Sequence, residues 1–132
     1  QGDYRCSIHA RLGSEGFPAC SSYDCHGAGQ RATREFAPGN WQANPELAAL
    51  QFAVFMRLRP MHELLALLAT ARAHVGDATW QQRLVAQEQV IEALCAAAPA
   101  RDDLDNFRTL RTATYALLAE LGRAAGVLAL PR

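Results

Sequence analysis

At 132 residues, half of them hydrophobic, the chain can bury one real core and has the size of one domain. Thirteen acidic side chains balance thirteen basic ones, all arginine, so there is no long-range positive field to gather phosphates, and nucleic acid is not the expected partner. The longest nearly apolar stretch, Leu47 to Leu58, is interrupted by Gln51 and Arg57, and no basic stretch precedes a hydrophobic one at the start, so neither a membrane segment nor a secretory leader is expected.

From Gln1 to about Asn44 the chain carries Gly2, Gly13, Gly16, Gly27, Gly29 and Gly39 with Pro18 and Pro38, and shows neither a sustained helical nor an alternating period. Loops with one short helical turn are expected there. Asn44 then Pro45 is a helix start: Asn accepts from exposed backbone N–H groups, and Pro at the first helical position surrenders a donor that would be unpaired anyway. The first helix is predicted over Pro45 to about Arg59. Pro60 either kinks it or opens a second helix through about Val75, closed by Gly76.

Asp77 or Thr79 can cap the next helix, and Thr79 with Gln82 has capping-box spacing. Trp80, Leu84, Gln87, Ile91 and Leu94 follow its period until Pro99 stops it. Asp102 restarts the pattern, with Asp103 and Asp105 placing negative charge in the first turn, where the helix dipole favours it. Leu104, Phe107, Leu110, Thr114, Leu117, Leu121 and Ala125 then form one stripe. The expected fold is mainly α and a single domain, residues 1–132, in which an irregular segment over 1–44 packs on a three- to four-helix antiparallel bundle over 45–132.

Three of the four cysteines, Cys6, Cys20 and Cys25, fall within the first twenty-five residues, while Cys95 lies beside Leu94 and Ile91 in a helical stretch and is expected in the core. Clustered cysteines mean disulfides in secreted proteins and metal or redox chemistry in cytosolic ones; with no leader in view, the cytoplasm and a metal are expected. Thiolates and imidazoles suit borderline-soft cations such as Zn²⁺ or iron, and Cys20 and Cys25 are close enough in sequence to share one ion. Cys6 would return to them across a loop closed by Gly13, Gly16 and Pro18. A fourth donor could be His9 or His26 from the segment, or His62 from a helix, although a satisfied core histidine is the commoner state of a residue placed like His62. Arg5, Arg11, Arg31 and Arg34 would favour thiolates. A Cys20–Cys25 or Cys6–Cys20 disulfide, and inert buried thiols, stand beside this reading.

The run Asp3-Tyr4-Arg5-Cys6-Ser7-Ile8-His9, followed by Gly16-Phe17-Pro18-Ala19-Cys20 and Tyr23-Asp24-Cys25, resembles the second half of the YkgJ-like cysteine-cluster proteins, described as zinc- or iron-chelating domains. Gly27-Ala28-Gly29-Gln30, Trp41 and Met61-His62-Glu63-Leu64-Leu65 are similar to an actinobacterial-type subgroup in which this domain can precede pentapeptide repeats. The likeness covers most of the chain and implies Cys6, Cys20 and Cys25 as cluster ligands. Two features depart from the family: its leading C-x2-C-x3-C-C run, which would precede the position of Gln1, is absent here, and so is any pentapeptide tail, so the resemblance leaves the coordination number open.

Other motifs do not hold. A zinc-protease helix needs a second histidine where Ala66 stands, and Gly27-Ala28-Gly29 has neither the third glycine nor the lysine of a phosphate loop. No catalytic residue can be named. The expected function is binding of zinc or iron, with an iron–sulfur cluster as one form, through Cys6, Cys20, Cys25, His26 and His9. A disulfide-stapled helical interaction module and a metal-dependent enzyme with an open coordination position are the alternatives.

Overall fold

The structure, a computed structural model, describes residues 24–36, 39–40 and 42–126, and every regular element among them is helical. Helix α1 spans Ala28–Arg31 and runs into a π-helical turn over Ala32–Phe36; α2 spans Pro45–His74, α3 Ala78–Ala96 and α4 Asp103–Ala124. The mainly α class is as the sequence indicates. No helix among the described residues is long and apolar enough to cross a membrane.

Helix α2 starts where its capping residues predict: Asn44 Oδ1 accepts from the backbone N–H groups of Glu46 and Leu47, each at 3.1 Å, with Pro45 as the first helical residue. It does not end at Arg59. Pro60 lies inside a continuous helix of 30 residues. The reason lies in the apolar pattern: Leu58, Met61, Leu65 and Leu68 are all buried at helical spacing on both sides of the proline, and breaking the helix would throw that stripe out of register. Pro60 withholds a donor from the Met56 carbonyl, but Met56 lies on the other side of the helix with its side chain 47% exposed, where water can replace the missing partner.

The chain divides into two compact units, Gln1–Ala66 and Leu67–Arg132, with the boundary inside α2. In the second unit, Gln81 closes the end of α2 by donating from its side-chain amide to the carbonyls of Arg72, at 2.7 Å, and Val75. Asp77 caps α3, its Oδ1 accepting from the Trp80 N–H at 3.0 Å, so Thr79 sits within the first turn and forms no capping box with Gln82. Asp102 stands at the α4 N-cap without a side-chain capping bond; Asp103 and Asp105 supply the negative charge of the first turn.

Helices α3 and α4 pack antiparallel, since Arg83 meets Glu120 while Gln87, one turn further along α3, meets Thr114. Their buried positions are Leu84, Glu88, Ile91 and Cys95 on α3 and Thr114 and Leu121 on α4. Trp80 and Leu94 of the expected α3 stripe are partly buried, and Leu104 at the head of the α4 stripe is exposed. Cys95 is a fully buried core residue and is not part of a disulfide. Glu88 enters the α3 face because Arg72 of α2 donates to its Oε2 at 2.8 Å.

Candidate functional site

Of the five expected ligands, Cys6, His9 and Cys20 lie outside the described residues, while Cys25 and His26 are placed on one turn in the first unit. Asp24 begins it: its Oδ1 accepts from the His26 backbone N–H at 2.8 Å, the local bond that makes aspartate a turn former. His26 and Gly27 then both take positive φ, 53° and 82°, and the Ala28 N–H donates to the Cys25 carbonyl at 3.0 Å. That is the arrangement of a turn whose two central residues are left-handed. Glycine takes it freely; at His26 it costs about 1–2 kcal/mol, which surrounding contacts must offset. Immediately beyond, the Arg31 N–H donates to the Gly27 carbonyl at 3.0 Å and α1 has begun.

Side chains follow from this backbone. Cys25 carries a free, half-buried thiol, and Cys20, its partner in one expected disulfide, lies outside the described residues. A Cβ added at Gly29 would stand 3.7 Å from Cys25 Sγ and 3.8 Å from the Phe55 ring, which puts the thiol and the ring on the same side of α1. The His26 ring is partly exposed with Nδ1 3.6 Å from Asp24 Oδ2, and Nε2 has no protein partner among the described residues.

His62 of α2 supports the turn from below. It is buried, and its Nδ1 lies 2.8 Å from the His26 carbonyl, which can only accept. Arg31 NH1, which can only donate, stands 3.4 Å from His62 Nε2. Together these contacts specify the neutral imidazole with its proton on Nδ1. Arg31 Nε donates in turn to Glu35 Oε2 at 3.0 Å. His62 is therefore a core histidine with both ring nitrogens engaged, the commoner of the two states expected of it, and Arg31 faces His62 and Glu35. The Arg31–Glu35 pair has the i,i+4 spacing that a sequence can show; the His62 contact spans 36 residues and has no local signal.

A thiolate and an imidazole form a donor pair suited to zinc or iron. Asp24 Oδ2 stands 3.6 Å from His26 Nδ1, too far for a hydrogen bond, and its firm bond is the one from Oδ1 to the His26 backbone N–H. By donor type, Cys25 and His26 could each serve such a site. No group of three or more His, Cys, Asp or Glu side chains among the described residues could complete one, so the remaining donors would come from Cys6, Cys20 and His9. Elsewhere, an open groove between α3 and α4, lined by Ala86, Val90, Ala113 and Leu117, has the Arg83–Glu120 ion pair as its charged lining and presents no nucleophile.

The chain is thus a helical protein bearing a Cys-His turn braced by a buried histidine. Over 66 residues, 49% of its length, it is 42% identical to the uncharacterized protein YybG of Bacillus subtilis (strain 168), and the match spans 24% of that relative. The chain matches no family model and no solved structure.

Proposed function

We propose that the protein binds zinc or iron, or an iron–sulfur cluster, through the thiolates of Cys6, Cys20 and Cys25, with His26 and His9 as the nitrogen donors available to complete the shell. The observation that carries this reading is the Asp24–Cys25–His26 turn: a free thiol and an imidazole on adjacent residues, with the Asp24 carboxylate bonded to the His26 backbone N–H. The clustering of the other two cysteines and the resemblance to chelating domains support it. When bound, the ion supplies a cross-link between loop segments with little regular structure of their own, and its role is structural or that of held cargo. In that role it acts on no substrate, and neither nucleic acid nor membrane is a partner. A reducing cytoplasm would keep the thiols available as ligands.

The test is elemental analysis of protein purified without added metal, beside a Cys25→Ser variant and beside a longer chain carrying residues upstream of Gln1. Stoichiometric zinc or iron that Cys25→Ser reduces is the expected result. No bound metal, with thiols that either all react freely or appear only after reduction, overturns the proposal; a mass gain on reduction would favour the disulfide-stapled module.

A further inference from the structure

We infer that His62, held by Arg31, is the positioning residue that presents Cys25 and His26 for metal binding, an inference that rests on the metal-binding reading of this turn. The argument starts from the cost of a buried imidazole. His62 lies at a buried position of α2 between Met61 and Leu64, both also buried, where an aliphatic residue would do as well for packing. A histidine there must find partners for two nitrogens. It finds one in α1, through Arg31, and the other in the backbone of the turn, at the carbonyl of His26.

That carbonyl belongs to the residue in the left-handed conformation, so the bond falls at the point of the turn where the backbone is least favourable. Losing it releases the peptide unit that joins His26 to Gly27, and with it the spacing between the Cys25 thiol and the His26 ring. Supporting hydrogen bonds of this kind change metal affinity by about 10–100-fold when removed, although they touch no metal. Arg31 contributes by donating to Nε2, which keeps the proton on Nδ1 where the carbonyl needs it.

The test uses the full chain with His62→Leu, which removes the donor, and His62→Asn, whose side-chain amide replaces a donor near the Nδ1 position. Two quantities are read: zinc affinity by competition with a chromophoric chelator, and the rate of Cys25 alkylation in metal-free protein by peptide mass mapping, with buried Cys95 as internal reference. His62→Leu is expected to weaken zinc binding at least about tenfold and to accelerate Cys25 alkylation while Cys95 stays protected; His62→Asn restores both. Wild-type values for either quantity in His62→Leu overturn the inference. If Cys95 also becomes reactive, the variant has lost its fold, and His62→Gln, with its donor displaced by one methylene, is compared with His62→Asn: equal Cys25 rates overturn the inference and a faster rate in His62→Gln supports it. Failure of the wild-type chain to bind zinc or iron overturns the metal reading instead, and the alkylation rates then decide separately whether His62 positions the turn.

Discussion

Thr114→Val is nearly isosteric, so the energy it changes can be worked from the contacts of one hydroxyl. Thr114 is fully buried; its Oγ1 accepts from Gln87 Nε2 at 2.9 Å and donates to the Leu110 carbonyl at 2.7 Å. The second bond is the cheaper to lose, because Leu110 keeps its ordinary helical acceptor role. The first ties α3 to α4. Without it, the Gln87 amide retains only the Leu110 carbonyl at 3.5 Å. A net hydrogen bond is worth about 1 kcal/mol and the under-paired amide costs about as much again, less roughly 0.5 kcal/mol gained by burying a methyl in place of a hydroxyl. The variant should therefore be destabilised by about 1–2 kcal/mol, or roughly 3–8 °C in Tm for a chain of this size. Urea unfolding followed by far-UV circular dichroism measures this, and Gln87→Leu with Thr114→Val completes a double-mutant cycle. Removing both polar groups should cost less than the sum of the single losses by about 1 kcal/mol. A Thr114→Val variant as stable as the parent, or a strictly additive cycle, would refute the reasoning.

Pro60→Ala restores a donor to the Met56 carbonyl in a helix that is already continuous, and should raise stability by about 1–3 kcal/mol; a lower urea midpoint would mean that the proline fits a bend the alanine cannot. Glu120 is held below the usual carboxylate range by the hydrogen bond and the charge of Arg83, so the pair's contribution is present above the unfolded pKa and disappears as pH falls through the folded one. Both side chains are well exposed, so the effect is small and screened by salt; the gap in urea midpoint between parent and Glu120→Gln should close on acidification, and a gap constant with pH rejects the pair as its cause.

What the sequence discloses about this fold is what is locally determined. Asn44 before Pro45 marks the start of α2, and Asp77 marks that of α3, because a cap bonds to residues two or three positions away. Cys95 reads as a core residue from its neighbours in the helical period. Pro60 misleads because a local rule meets a longer pattern: the buried stripe of Leu58, Met61, Leu65 and Leu68 runs on both sides of it and the helix continues through. Leu104 misleads in the opposite direction, matching the period of α4 while standing in its first turn on the exposed side. At the candidate site, adjacent Cys25 and His26 can be picked out by residue type, whereas the donor that braces them is far away in the chain. Neither Arg72–Glu88 nor His62–His26 has a spacing that a one-dimensional reading could detect.

The buried polar side chains separate the two units by what they hold. In the second unit Glu88 takes a charge-assisted bond from Arg72, and Thr114 takes an amide bond from Gln87, so each ties one helix to another. In the first, the buried polar groups of α2 serve the irregular chain before it. Gln51 donates from its amide to the Gly39 carbonyl at 3.4 Å, and His62 donates to that of His26. Backbone outside a helix or sheet has no periodic source of partners, so carbonyls brought against a core need side-chain donors or water. A glutamine and a histidine in an otherwise apolar stripe therefore accord with α2 acting as a platform for loops. Of the two supported carbonyls, only that of His26 belongs to the turn that carries Cys25 and His26, so the proposed function draws on His62 and not on Gln51.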